Sequence, residues 1–157
     1  MLNWQKSVLT PVQEIEFLGL TVNSRSMTLS LTEEKMAKIK SQCQDLYHRP
    51  CTTILELTRL LGRLSSTIQA ILPARIQFRH LQHQQILALK QSQSFLSKVV
   101  LGKDSLEELK WWIENIKLSN GRNLIQPTSQ TLLQTDASLK GWGQIAEGFR
   151  QEVNGPL

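Results

Sequence analysis

The chain has 157 residues, 40% of them hydrophobic and 20% charged, with a formal net charge of +5; that excludes a disordered chain and allows one folded domain or parts of two. Its two cysteines, Cys43 and Cys51, are too few for a disulfide framework and fit a reducing compartment. No apolar run nears the roughly 18 residues that a membrane span needs, and Met1-Leu2-Asn3-Trp4-Gln5-Lys6 has no apolar stretch behind a basic start, so neither a membrane segment nor a signal peptide is expected.

Residues 7–31 read as β. Ser7-Val8-Leu9 is a short β-prone run closed by Pro11, and Glu14 to Val22 is a longer strand. After the turn-rich Asn23-Ser24-Arg25-Ser26, Met27 to Leu31 returns in strict alternation, making a hairpin. Met27, Leu29 and Leu31 are expected on one face, Thr28 and Ser30 on the other. Gly19, inside the long strand, reads as a bulge or as a point of close backbone approach by another molecule.

Residues 32–90 read as helices. Thr32 can cap a helix that has Glu33 and Glu34 in its first turn, where the macrodipole favours anions. Met36, Ile39, Cys43 and Leu46 form its apolar stripe, with Lys35, Lys38 and Gln42 off it, and Arg49-Pro50 ends it. Thr53-Ile54-Leu55-Glu56 is a capping box. The helix it opens carries Leu57, Leu60, Leu61, Leu64 and Ile68 on one side and Arg59, Arg63 and Ser66 on the other, and Gly62 reads as a tight helix crossing. Pro73 suits the first turn of a third helix bearing Arg75 and Arg79 one turn apart.

Gln91 to Ser97 reads as a frayed end or linker. Ser105-Leu106-Glu107-Glu108 is a second capping box, followed by Leu106, Leu109, Ile113 and Ile116 as a stripe with Trp111 and Trp112 beside it. Asn120-Gly121 marks a turn. Beyond Pro127, an apolar run leads into Asp136, a small-residue turn follows, and Trp142 to Ala146 leads away. A two-stranded unit is marginal alone, so the chain is expected to begin and end inside larger folds.

The positive charge is concentrated. From Thr32 to Lys90 there are nine Lys/Arg against four Asp/Glu, and outside that window nine against nine, so the whole excess lies in the helical block. Such a block should face an anion, most commonly nucleic acid; a basic solvated surface is the bland alternative. Arg59 with Arg63, and Arg75 with Arg79, stand at i and i+4 and can straddle phosphates, which gives affinity and register rather than sequence readout. Ser65, Ser66 and Thr67 add neutral donors.

Asp136 is the other candidate. An aspartate at the end of a buried strand is costly unless it is paired or binds a cation. Phosphodiester cleavage by two ions about 4 Å apart needs several carboxylates, and Mg²⁺ wants oxygen ligands. One aspartate is not a site, and a turn residue is the competing reading. Asp45 and Asp104 suit capping or surface positions, and only Glu147 and Glu152 are acidic downstream. His80 and His83 with the two cysteines match no zinc spacing. The sequence has no Gly-rich phosphate loop, serine nucleophile motif or dinucleotide fingerprint.

Taken in order, these motifs resemble the reverse transcriptase–RNase H region of retrotransposons, most like the DIRS/Ngaro (tyrosine-recombinase) type. Asn3 to Ser7, Ile15-Glu16-Phe17-Leu18-Gly19-Leu20 and Met27 to Leu31 are similar to the end of the polymerase palm with its primer-grip hairpin. Leu57 to Thr67, Ile71 to Arg75 and Phe78 to Leu81 resemble the thumb. Leu109 to Trp112 and Asn120 to Arg122 resemble the connection. Thr135-Asp136-Ala137-Ser138-Leu139-Lys140-Gly141-Trp142-Gly143, with Asn154-Gly155-Pro156 trailing, resembles the start of RNase H.

The resemblance implies an α+β fold. It places the end of the palm at 1–31, a helical thumb at 32–97, the connection at 98–127 and an incomplete RNase H-like domain, its first two strands, at 128–157. Phe17, Leu18 and Gly19 would approach the primer. Arg59 and Arg63, with Arg75 and Arg79, would track nucleic-acid backbone, and Asp136 would be the first metal-binding carboxylate of a Mg²⁺ site in the parent enzyme. The family's Tyr-x-Asp-Asp motif is missing and is expected just before Met1; the further RNase H carboxylates are expected after Leu157. The chain is then a fragment of an RNA-directed DNA polymerase with neither active site complete, an intracellular protein of cytoplasm or nucleus that binds RNA/DNA hybrid or duplex and no membrane. Two other readings are a co-opted, non-catalytic protein-interaction module and a small intact Mg²⁺-dependent RNase.

Overall fold

The computed structural model describes residues 7–49, 51–125, 133–138, 141–146 and 149–154, and the chain divides between Leu124 and Ile125 into two compact units. The sequence readings at residues 1–6, Pro50, Pro127, Thr131-Leu132, Leu139-Lys140, Glu147 and Gly155-Pro156 lie outside the described residues. The fold is α+β.

In the first unit, strands β1 (Glu14–Phe17), β2 (Leu20–Asn23), β3 (Thr28–Leu31) and β6 (Arg122–Asn123) make an antiparallel sheet in that order. Cross-strand partners share a face, so the rows Ile15–Val22–Leu29 and Phe17–Leu20–Leu31 put six apolar side chains on one side. Leu31 is buried and Leu20 packs on the helical core, whereas Ile15 and Phe17, on the edge strand, are exposed. The β2–β3 loop is Ser24 to Met27, one residue later than the turn signals suggest. The Asn23 side chain accepts from the backbone N–H groups of Arg25 and Ser26, which starts the turn, and Met27 leaves the strand with φ 51°.

Four helices form the core: α1 (Glu33–His48), α2 (Ile54–Ser65), α3 (Arg79–Ser92) and α4 (Lys103–Asn115). α1 starts as its sequence dictates, the Thr32 hydroxyl accepting from the Lys35 amide, and it buries Met36, Ile39, Cys43 and Leu46. Each apolar side chain buried this way contributes about 1.5–3 kcal/mol relative to exposure. The Thr53–Glu56 capping box is reciprocal, and α2 buries Ile54, Leu57, Leu60, Leu61 and Leu64. Gly62, in contrast, faces open space rather than a helix crossing.

The third helix is where local pattern misleads. Leu72–Arg75, with Pro73 at its start, is a single 3₁₀ turn, and α3 begins only at Arg79. Phe78 gives α3 no side-chain cap. The acceptor comes instead from α4: the buried Glu108 carboxylate takes the amide N–H groups of His80 and Leu81, both at 2.9 Å. That also explains why Ser105–Glu108 is not a capping box. α4 starts earlier, from Gly102, and the Ser105 hydroxyl donates to Gln84 at 2.7 Å. One turn beyond Glu108, the fully buried Trp112 donates its indole N–H to the Gln77 carbonyl at 2.7 Å.

The stretch after Gln91 is shorter as a linker than its composition suggests. α3 runs to Ser92, Gln93 closes it in the left-handed region, and β5 (Lys98–Val100) pairs with β4 (Cys51–Thr53). Asn120 lies beside β3, where its amide accepts from the Leu31 N–H at 2.8 Å and donates to the Leu31 carbonyl at 3.2 Å. The second unit is an antiparallel meander of three strands rather than two: β7 (Leu133–Ser138), β8 (Gly141–Ala146) and β9 (Phe149–Asn154). No helix among the described residues is long and apolar enough to cross a membrane.

Removing the Glu108 carboxylate strands one buried and one part-buried amide at the start of α3. Glu108→Ala should lower the unfolding free energy by about 2–4 kcal/mol, and Glu108→Gln by clearly less because an amide oxygen remains as acceptor. Urea unfolding with an unchanged m-value reads both; wild-type midpoints for the two variants would mean that α3 does not depend on this cap.

Candidate nucleic-acid interface

The tip of the first hairpin is built from Phe17, Leu18 and Gly19. Phe17 pairs directly with Leu20, leaving Leu18 and Gly19 as a two-residue loop with φ of 52° and 72°. Positive φ at both central positions marks a type I′ turn, the connection whose twist suits a tight hairpin. Gly19 is therefore neither a bulge nor a mid-strand residue, but the second turn position. Asn is the usual occupant of the first. Leu18 sits there instead, 78% exposed, next to a Phe17 that is 64% exposed. Neither burial nor backbone preference accounts for a leucine at this point.

Gly19 is constrained from below as well. A Cβ on it would lie 3.0 Å from Cδ of Lys35, whose stem crosses under the turn. The Lys35 ammonium then donates to the Ser66 carbonyl at 3.4 Å, just past the end of α2. Burial lowers the pKa of this lysine. The tip of the sheet and the end of α2 are thus joined through one side chain.

The helical part of the interface lies along α1 and α2. Arg59 and Arg63 are exposed one turn apart on α2, as their spacing indicates. Arg63 donates to the Gln42 side chain at 2.7 Å, and the Arg59 side chain has no hydrogen bond or ion pair among the described residues. Arg49, after the last turn of α1, stands 3.6 Å from Glu56. These residues border a groove of about 590 Å³ between the two helices. The Glu56 carboxyl is held below its usual range chiefly by the Thr52 hydroxyl, then by the Thr53 amide, with Arg49 adding to them.

Arg75 and Arg79 are exposed but not aligned as one helix face. Arg75 ends the 3₁₀ turn and Arg79 opens α3, and a turn separates them, so their i, i+4 spacing does not carry a shared direction. Asp136 lies in β7, with its backbone opposite Gly143 of β8. Its side chain lies outside what the structure describes. Among the described residues, no group of three or more His, Cys, Asp or Glu could hold a metal ion. Cys43 is buried, which pushes its thiol up to about 12 and leaves it protonated and inert.

Sequence reasoning missed the Lys35 link, the place of Arg49 and Lys38 beside Arg63, and the role of Glu108. Lys38, Gln42 and Arg49 share a face by their spacing of four and seven residues, which is visible in the sequence. What the spacing does not contain is which helix lies across from that face. No protein-family model matches the chain, and comparison with curated proteins finds no match.

Two measurements follow from this geometry. Leu18→Asn should raise stability by about 1 kcal/mol by removing a branched side chain from the left-handed region; a loss instead would mean that the leucine packs. For Glu56, a folded-state pKa below the unfolded one stabilises the protein above the unfolded value, and that contribution is lost as pH falls through the folded one. The Glu56 carboxyl should therefore titrate below the ordinary carboxylate range by NMR, and move back toward it in Thr52→Val. An unmoved midpoint would remove Thr52 as the main cause.

Proposed function

We propose that this chain is a nucleic-acid-binding part of a polymerase, comprising a primer-grip hairpin, a helical thumb and a connection, followed by the start of an RNase H-like unit. The particular source that the motifs favour is a retrotransposon reverse transcriptase, an intracellular RNA-directed DNA polymerase of the DIRS/Ngaro type. The observation that carries this reading is the hairpin tip. An exposed Phe17-Leu18 pair on a left-handed turn is tied by Lys35 to the end of α2, on which Arg59 and Arg63 stand. A turn that accepts strain to hold an apolar tip outward is expected where that tip touches a partner. The neighbouring arginines supply the attraction to phosphate.

The catalytic side of the reading is limited to the parent enzyme. Asp136 would be one Mg²⁺ ligand there, and Mg²⁺ would stabilise the charge that develops on the cleaved phosphodiester. A two-ion site needs several carboxylates, and the described residues supply no such cluster. We derive no cleavage step for this chain; by itself it binds RNA/DNA hybrid or duplex. The exposed apolar residues Val12, Ile15, Phe17 and Leu18 also suit the competing reading, a co-opted module that binds a protein.

Anisotropy of a labelled RNA/DNA hybrid separates the two. Affinity for hybrid should fall linearly with salt on a log–log plot, because counterion release dominates. Phe17→Ala should weaken binding about tenfold, the lower end of what an aromatic contact to a base contributes, and Leu18→Asn should weaken it despite improving stability. Unmeasurable affinity at low salt, or affinity indifferent to salt, would remove the reading. A nuclease-resistant complex with a protein would favour the alternative.

A further inference from the structure

We infer that the outer edge of β1 takes an extended polypeptide strand that alternates basic and apolar residues and adds to the sheet in antiparallel fashion, like the strands already there. The inference goes beyond the nucleic-acid reading and does not rest on it. The tight turn fixes which backbone groups face outward. A two-residue loop makes Phe17 and Leu20 a hydrogen-bonded pair, and such pairs alternate along an antiparallel ladder. Ile15 with Val22 is the next bonded pair, and the Gln13 carbonyl, in step with them, accepts from the Ser24 amide at 2.8 Å. The N–H and C=O groups of Glu14 and Glu16 therefore point the other way, off the sheet. No strand among the described residues pairs with that side of β1. The far side of the sheet, in contrast, is closed. There β6 pairs with β3, and the Asn120 amide bonds both backbone groups of Leu31.

The side chains of β1 say what such an edge accepts. All four of its residues are exposed. Ile15 and Phe17 lie on the apolar face, and apolar residues opposite them on an added strand would continue the rows that start at Leu29 and Leu31. Glu14 and Glu16 lie on the other face. Glu14 accepts from the Asn23 side chain at 2.7 Å, and the Glu16 side chain has no partner among the described residues. Arg25 donates to the Gln13 side chain, before the strand, rather than to either carboxylate. Basic residues opposite the two glutamates would therefore gain favourable cross-strand pairs. The same charges work against other occupants. A second copy pairing antiparallel through both outward residues would set Glu14 against Glu16 twice. Phosphate would meet the same repulsion. Pro11 has no N–H to donate, so the accepting edge is short.

The test uses the full chain and a capped peptide of about six residues that alternates valine and lysine. At a peptide concentration about ten times the dissociation constant, hydrogen exchange at the Glu14 and Glu16 amides should slow about tenfold. The same peptide methylated on its lysine backbone nitrogens loses its ladder donors and should not bind. Glu14→Lys with Glu16→Lys should weaken the valine–lysine peptide about tenfold. That variant should also bind an alternating valine–glutamate peptide that the wild type refuses, a gain that misfolding cannot produce. No binding of the valine–lysine peptide, equal binding of its methylated form, or binding that leaves both amides unprotected would overturn the assignment. Protection of the same amides by self-association without peptide would make the occupant a second copy and overturn it too. Protection by RNA/DNA hybrid would make the occupant nucleic acid, overturning this inference while leaving the nucleic-acid reading in place.

Discussion

The carboxylate of Glu108 holds the first unit together at its weakest joint. Between the 3₁₀ turn and α3 the chain changes direction with no local cap to stabilise the change. α4 supplies what is missing with two side chains one turn apart: Glu108 accepts from the amides of His80 and Leu81, and Trp112 donates to the carbonyl of Gln77. A buried carboxylate is tolerable here because two backbone donors at a helix N-terminus satisfy it, where the macrodipole also favours negative charge. With α3 fixed against α4, α2 packs on α3 and α1 packs on both α2 and α4. The exposed direction of Arg59 and Arg63 follows from that packing, because Leu57, Leu60, Leu61 and Leu64 must turn toward the core.

The sheet depends on the helices unevenly. At the β3 end, Leu31 is buried and Asn120 substitutes for a missing strand partner by pairing with both backbone groups of Leu31. At the β1 end the apolar face runs past the helices, so Ile15 and Phe17 have no cover in the first unit. A type I′ turn with Asn-Gly would have given the same hairpin with less strain and a polar tip. Leu18 therefore lowers stability at a point that offers it no buried contact, the pattern expected of a residue retained for contact with something else.

Much of the local structure was legible in the sequence, and the failures share one cause. The α1 cap and stripe, the Thr53 capping box and the Arg59–Arg63 face depend on neighbours within four residues, and the structure shows each of them. The Ser105 box fails because Ser105 and Glu108 find better partners on α3, roughly a sixth of the chain away in sequence number. The third helix starts late because its cap comes from that same distant carboxylate. The pairing of Cys51–Thr53 with Lys98–Val100 is also non-local, and strands of three residues leave little periodicity to read. The geometry of Phe17-Leu18-Gly19 was misread. Without an Asn-Gly signal, nine β-prone residues read as one strand rather than two.

The same division between near and distant partners bears on the basic block. Its excess charge was countable from composition, but composition does not say whether nine cations are dispersed or aligned. Packing brings four of them to one groove, where Lys38 is already paired with Glu34 at 2.5 Å. Lys38 lies on α1, Arg49 just past its end and Arg59 and Arg63 on α2, and the carboxylate nearest Arg49 is occupied by a helix cap. Like charges held along one channel repel one another, and the cores of α1 and α2 hold them there through stripes that contain no charge at all. Glu34 and Glu56 offset part of that repulsion by pairing with Lys38 and Arg49. By linkage, a strand bound only to the folded form should raise the thermal stability of this unit in proportion to its concentration over its dissociation constant. The stabilisation should vanish at high salt along with the binding.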